Sequence, residues 1–121
     1  MPRNMSFAIT KPQIRRRSKT VTRRCGWDEL RPGERFWAVE KVRGLKKGER
    51  IKRIALLECV SNNRVRLNLI DQADVVREGF PELTPAAFVQ MFCRHMKVKP
   101  TRTVNRIEFK YVRGSPKAAN A

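Results

Sequence analysis

Ten residues near the N-terminus, RRRSKTVTRR at 15–24, combine six cationic side chains with three hydroxyl groups. Lys19 and Thr22 in this run could carry out acyl transfer, because a threonine hydroxyl becomes a nucleophile when a neighbouring base takes its proton. A lysine can be that base if burial and nearby positive charge lower its pKa towards neutrality. Five arginines lie within five residues of Lys19 and could supply such a charge.

The spacing of this pair makes the chemistry depend on where a strand begins. TVTRR, residues 20–24, is rich in β-branched residues and predicts an extended segment. In a regular strand Lys19 and Thr22 would point to opposite faces, so the pair requires a bend and a strand that starts after Lys19. A lysine three residues from a threonine is also common in proteins without such chemistry. The run is therefore either an electrostatic patch or the floor of a site.

The charge of the whole chain indicates a polyanionic partner. The 121 residues carry a formal net charge of +17 and a sequence pI near 11.2, while 40% of them are hydrophobic. That hydrophobic content predicts one folded domain. An excess of positive charge repels itself in a compact state, and it is typical of proteins that bind RNA, DNA or nucleotides. The alternative is a highly charged surface without a specific partner.

The cationic residues of the first half predict a nucleic-acid-binding face. Phosphate contacts would make its affinity fall steeply with salt. Trp27 lies in a turn beside the cationic run and could stack on an unpaired base, whereas Trp37 lies mid-strand and is predicted to belong to the core. The predicted binding residues are Arg15, Arg16, Arg17, Arg23, Arg24, Trp27, Lys46, Lys47, Arg50, Lys52 and Arg53.

Several classes of protein are disfavoured by the sequence. No run approaches the ~20 apolar residues of a membrane span, and no apolar stretch follows the basic N-terminus, so we expect a cytoplasmic protein. The three cysteines, Cys25, Cys59 and Cys93, are far apart and form no CxxC, which argues against disulfides and a zinc site. His95 is the one histidine, so no metal is expected. We also expect no cofactor and a monomer.

Patterning along the chain predicts an α+β domain. Alternation or β-branched content predicts strands at 6–10, 20–24, 35–42, 51–60, 64–70 and 103–112. Asp71 and Thr84 are predicted N-caps of helices at 71–79 and 84–96, and KPQIRRRSK allows one helical turn. The Met and Phe residues of the last helix are predicted to be core. The fold is a small β-barrel of five or six strands with two or three short helices at its mouth; it spans residues 1–112 and leaves 113–121 as a disordered tail.

Four segments in this order resemble the ASCH domain family, small β-barrels related to the PUA domains that bind RNA. They are SKTVTRR, RPGERFWAV, DQADVVREGF and IEFKYV, and the overlap runs from residue 6 to residue 112. Lys19, Thr22 and Arg24 match the family signature G-x-K-x-x-T-x-R at its spacing. Arg17 replaces the glycine of that signature. If the loop needs a positive φ, an arginine supplies it at an energetic cost.

The resemblance implies three kinds of function. Certain bacterial ASCH proteins remove the acetyl group of acetylated cytidine with a lysine, a threonine and a glutamate, which correspond here to Lys19, Thr22 and Glu78. Glu78 would orient the lysine or move a proton to the leaving amine, and Arg24 or backbone N–H groups near it would hold the oxyanion. Other members cleave RNA or bind it without turnover.

The short loops also resemble ASCH proteins of phages and prophages, which implies an accessory protein that binds a host factor. Our first hypothesis is an RNA- or nucleotide-binding domain, with a nucleoside or other nucleic acid as partner. The second is an amidohydrolase for acetylated cytidine or a ribonuclease, and the third is the accessory protein.

Overall fold

A computed structural model describes residues 2–114 of the chain. The predicted tail therefore lies, from residue 115 onward, outside the described residues. The helices and strands are, in chain order, β1 (Arg3–Ser6), α1 (Lys11–Arg15), β2 (Val21–Arg24), β3 (Arg35–Val39), β4 (Arg53–Arg66), α2 (Gln72–Arg77), α3 (Pro85–Met96) and β5 (Thr103–Tyr111).

The strands form one curled sheet in the spatial order β1-β3-β4-β5-β2. β1 pairs with β3 in parallel, and the other neighbours are antiparallel. The edge strands β1 and β2 are not paired with each other, so the sheet is an open half-barrel. The α+β class is confirmed, but the predicted barrel does not close, because both edge strands are four residues long and the segment between them forms α1 instead of a hairpin.

The strands predicted at 51–60 and 64–70 are one element. β4 runs through SNN without a turn and accommodates these residues with an irregularity in its pairing to β5 between Cys59 and Ser61. The reason is tertiary: the side-chain amide of Asn62 donates to the carbonyls of Trp27 and Leu30, both at 2.8 Å. The end of the second predicted strand is a 3-10 turn at Leu67–Leu69. β1 likewise begins and ends earlier than the strand predicted at 6–10.

The predicted helix starts are confirmed. The side chain of Asp71 accepts a hydrogen bond from the N–H of Asp74, and that of Thr84 accepts one from Ala87. These contacts satisfy backbone N–H groups that have no partner within the first turn. On α3, Phe88 is buried as predicted, whereas Met96 is largely exposed.

Two apolar clusters stabilise the domain. The first fills the inner curve of the sheet, where Phe7, Phe36 and Phe109 pack edge to face. The second joins α2 and α3 to the beginning of β5 through residues such as Val75 and Phe88. The sheet and the helical layer therefore hold each other in place at one end of the half-barrel. Trp37 is not part of either cluster; it is half-buried beneath the guanidinium of Arg53, so its predicted core position is wrong.

Arg17 itself adopts the left-handed conformation, with φ of 60°. It follows the end of α1, where its N–H donates to the carbonyl of Ile14 and the N–H of Ser18 donates to Gln13. This is the pair of bonds with which a helix commonly ends on a left-handed glycine. Arg17 thus adopts the conformation that a glycine usually takes at the end of a helix.

We predict that Arg17→Gly leaves the free energy of unfolding unchanged or raises it by up to about 1.6 kcal/mol. The left-handed conformation costs an L-residue roughly 1–2 kcal/mol, and the greater entropy of unfolded glycine offsets about 0.4–1 kcal/mol of that gain. Arg16→Gly is the matched control, because Arg16 is exposed and right-handed; it should lose about 0.5–1 kcal/mol. Urea unfolding measures both, and equal losses in the two variants would contradict the assignment.

Candidate functional site

A cleft of about 610 Å³ lies at the seam where the half-barrel stays open. One wall is residues 4–10, from β1 and the segment after it, and the other is β2. Residues 41–43 and the inner side of α3 complete it. We call this cavity the seam cleft. Lys19, Thr22 and Glu78 all line it, so the fold brings the three predicted catalytic residues together in one cavity.

Lys19 is buried against the end of α2. Its Nζ donates to the carbonyl of Glu78 at 2.7 Å and to Oε1 of the same residue at 2.8 Å. The N–H of Thr20 donates to the carbonyl of Arg77 at 2.9 Å. The last carbonyls of a helix have no partner within it and carry partial negative charge, so an ammonium group there is favourable. Lys19 therefore caps α2 as well as facing the cleft.

Gly79 allows this close approach. Its φ is 100°, and a Cβ at this position would lie 2.8 Å from Cγ of Gln13 and 3.5 Å from Cβ of Lys19. The side-chain amide of Gln13 donates to the carbonyl of Gly79 at 3.2 Å. A glycine is thus required for both its conformation and its lack of a side chain. The GF pair after Glu78 is the sequence signal for this contact.

Burial lowers the pKa of Lys19 below its ordinary value, and the nearby charges of Arg24 and Arg23 act in the same direction. The carboxylate of Glu78 opposes this shift by attracting the ammonium form. Burial is the largest of these effects, because Lys19 is 2% exposed. The amine is consequently easier to deprotonate than a lysine on the surface.

Thr22 is the second residue of β2, and its side chain is buried at the seam cleft. The strand begins at Val21, so Lys19 precedes it. The alternation of a regular strand, which would point Lys19 and Thr22 to opposite faces, therefore does not apply to this pair. Oγ1 of Thr22 accepts a hydrogen bond from Nε of Arg24 at 3.0 Å. In the described part of the chain no hydrogen bond joins Lys19 to Thr22.

Arg24 brings a positive charge to the seam cleft. Its guanidinium lies 4.5 Å from the centre of the Phe7 ring and so spans the gap between the two walls. No carboxylate among residues 2–114 forms an ion pair with it. Burial lowers the pKa of Arg24 to about 10, and the charge of Glu78 opposes this shift. Arg24 is half-buried, so its charge is partly desolvated, and it has no direct counter-ion among the described residues.

Arg23, predicted as a nucleic-acid contact, is instead enclosed in ion pairs. Its two terminal nitrogens donate to Glu78 Oε2 at 3.1 Å and to Asp74 Oδ2 at 2.7 Å. Asp74 also accepts from Arg106 and Arg77, and these contacts, led by the one with Arg106, hold its pKa well below the ordinary value. Asp74 was not among the predicted site residues, although its spacing of four from Glu78 places both on one helix face.

Trp27 borders the seam cleft, half-buried, with the guanidinium of Arg3 4.4 Å from its ring centre. The other predicted binding residues are exposed and lie outside the lining of this cavity; they are Arg15, Arg16, Arg17, Lys46, Lys47, Arg50, Lys52 and Arg53.

Arg15 forms an ion pair with Glu40 and so joins α1 to the basic loop after β3. Lys41 and Arg43 of that loop reach the cleft and were also missed.

No protein-family model matches the chain, and no curated protein matches it. Among solved structures, protein EF3133 from Enterococcus faecalis V583, which carries the family description DUF984, has a similar fold with a TM-score of 0.63. The two share 12% sequence identity over 93% of this chain and 80% of that chain. The chain has a small half-barrel fold. An identity this low carries no information about activity.

Residues 2–114 provide neither a membrane-spanning helix nor a metal-binding cluster. None of the helices within residues 2–114 is long and apolar enough to cross a membrane. The same residues contain no group of three or more His, Cys, Asp or Glu side chains that could hold a metal ion.

We predict that Asp74→Asn lowers the free energy of unfolding at pH 7 by about 3–5 kcal/mol, because it leaves buried arginine charge uncompensated. The folded pKa of Asp74 lies below its ordinary value of 3.8, so the contribution of its carboxylate is present above that pH and is lost on acidification. The difference between the natural chain and the variant should therefore shrink as the pH falls below about 4.

Urea unfolding at pH values from 7 to 3 measures this difference. Glu82→Gln is the control, since Glu82 is exposed and forms no ion pair among the described residues. A pH-independent difference for Asp74→Asn would show that its carboxylate does not hold the arginines.

Proposed function

We propose that this chain is a PUA-like domain of the ASCH type that binds single-stranded RNA and holds one unstacked base in the seam cleft. The half-barrel fold and the order of the family segments along the chain support this proposal. Arg17 supports it as well, because it adopts the left-handed conformation at the position where the family signature has glycine.

The dimensions and walls of the seam cleft suit a nucleobase. Its volume of about 610 Å³ falls in the range typical of small-molecule pockets. Phe7, Phe80 and Phe88 contribute apolar wall, whereas Lys19 and Glu78 place hydrogen-bonding groups at the floor. Unstacked bases are recognised in this way, by apolar contact with their faces and by hydrogen bonds to their edges.

The observation that carries the proposal is the position of Arg24. A half-buried cation without a direct counter-ion gains when a ligand brings hydrogen-bond acceptors or negative charge. The carbonyl oxygens of a base or a phosphate of the strand would supply them. The net charge of +17 would attract such a strand from a distance.

We predict that Trp27→Leu weakens the binding of a single-stranded RNA by about 1–3 kcal/mol, the usual effect of losing one base-stacking ring. Trp37→Leu should leave the affinity unchanged. The two tryptophans are matched, because each is half-buried beneath an arginine guanidinium at 4.4 Å, and Trp27 alone of the two lines the seam cleft. Fluorescence anisotropy of a labelled RNA measures the affinities at fixed salt.

The chain contains two tryptophans, so Trp37→Phe leaves Trp27 as the one indole reporter. Its emission should be quenched on addition of RNA, while that of Trp37 in the Trp27→Phe variant should not change. Equal quenching of both, or no RNA binding at low salt, would refute the proposal.

A second candidate function is hydrolysis of acetylated cytidine. The observation that favours it is the meeting of Lys19, Thr22 and Glu78 in one cavity, with the amine and the carboxylate 2.8 Å apart. A neutral Lys19 would take the proton of Thr22 as Oγ1 attacks the acetyl carbonyl, and the same proton would pass to the departing exocyclic amine. Water would then hydrolyse the acetyl-threonine ester.

If this activity exists, Thr22→Val should abolish acetate release from acetylated cytidine, whereas Thr20→Val should retain it. Both substitutions keep a β-branched residue, and Thr20 does not line the seam cleft. The rate should rise with pH as Lys19 loses its proton and should level off below 10.5, because its pKa is lowered. Chromatography of the nucleoside measures the product. Turnover that survives Thr22→Val would refute this role.

A further inference from the structure

A second cavity of about 500 Å³ lies on the far side of the turn at residues 25–28. Its lining includes Cys25 and Gly26 of the turn, and its polar groups belong to Asp28, Arg64, Thr101, Arg102, Thr103 and Asn105. We call it the turn recess. Its walls are mainly polar, in contrast to the aromatic walls of the seam cleft.

The two cavities share the turn as a common wall. Along the chain, Thr22, Arg23, Arg24 and Trp27 face the seam cleft, whereas Cys25, Gly26 and Asp28 line the turn recess. Residues that line the two cavities therefore alternate within one short stretch of chain, residues 22–28.

Two buried or half-buried amides fix this wall. Asn105 is 4% exposed; its Oδ1 accepts from the N–H of Trp27 at 3.0 Å, and its Nδ2 donates to Asp28 at 2.7 Å. Asn62 donates to the carbonyl of Trp27 at 2.8 Å. The spacing between the cavities is consequently set by side-chain hydrogen bonds within the fold.

The chemistry of the turn recess suits a phosphate. Arg64 and Arg102 bring two guanidinium groups, and Thr101 and Thr103 bring two hydroxyls. One carboxylate, Asp28, opposes them; its Oδ2 lies 3.7 Å from Nη1 of Arg64, and both side chains are largely exposed. The arginines exceed the carboxylate by one charge, and guanidinium and hydroxyl groups are the usual partners of phosphate oxygens.

We propose that the turn recess holds a backbone phosphate of the same strand whose base occupies the seam cleft. The ligand is then an oligonucleotide that crosses the turn at residues 25–28. A free nucleoside would occupy the seam cleft alone and leave the turn recess empty. This inference rests on the proposed function and specifies its ligand.

The test compares RNA and nucleoside binding in variants of the turn recess. The double variant Arg64→Gln, Arg102→Gln should bind a labelled eight-nucleotide single-stranded RNA at least tenfold more weakly, with a salt slope smaller by about 0.7–1, as expected for the loss of one phosphate contact. Asp28→Asn should bind it more tightly, because the opposing charge is removed while an oxygen remains for Asn105. Arg94→Gln, an exposed residue outside both cavities, should change the affinity less than twofold.

Nucleoside binding is followed separately through Trp27 fluorescence in a Trp37→Phe background, with each of the four ribonucleosides as probe. It should be equal in all recess variants. If nucleosides bind but the double variant binds RNA as tightly as the natural chain does, the recess proposal is overturned and the proposed function stands. If neither RNA nor nucleoside binds the natural chain, both are overturned. Competition by polyglutamate as effective as that by RNA would also overturn the phosphate assignment.

Discussion

Paired charges between β2 and α2 hold the open side of the half-barrel together. Asp74 and Glu78 project from one face of the helical segment, and Lys19 and Arg23 meet them from the strand side. All four side chains are almost completely buried. Desolvated charges of this kind are tolerated when each has a partner and are costly when one is removed, so the four residues fix each other's positions.

This mode of closure explains why a cleft exists. Backbone pairing between β1 and β2 would have completed the barrel and filled the seam with a hydrogen-bonded ladder. Side-chain ion pairs instead anchor β2 to a helix, and the guanidinium of Arg24 on the Phe7 ring is the contact that spans the gap. The space left between the edge strands is the seam cleft of about 610 Å³. The polar groups that anchor β2 also line this cleft.

The parts of this arrangement that local chemistry determines were predictable from the sequence. Asp71 and Thr84 could be predicted as N-caps because each side chain accepts a hydrogen bond from a backbone N–H only three positions ahead. The continuity of β4 was not predictable, because Asn62 is held by carbonyls about thirty residues away along the chain. The role of Asp74 was not predictable for the same reason: two of its three arginine partners come from β2 and β5, far along the chain. Lys19 and Thr22 were found through their spacing, but their shared cavity depends on how β2 meets α2.

The run RRRSKTVTRR shows why a count of charges is a weak guide to a site. Arg16 at the end of α1 is exposed to water, and Arg15 beside it forms an ion pair with Glu40. Lys19 and Arg23 are buried, and the carboxylates of α2 compensate their charges. Arg24 has neither full hydration nor a carboxylate partner among the described residues, so its charge is the one in this run that a ligand would stabilise most. A single arginine between the surface and the interior therefore says more about binding than the net charge of the chain.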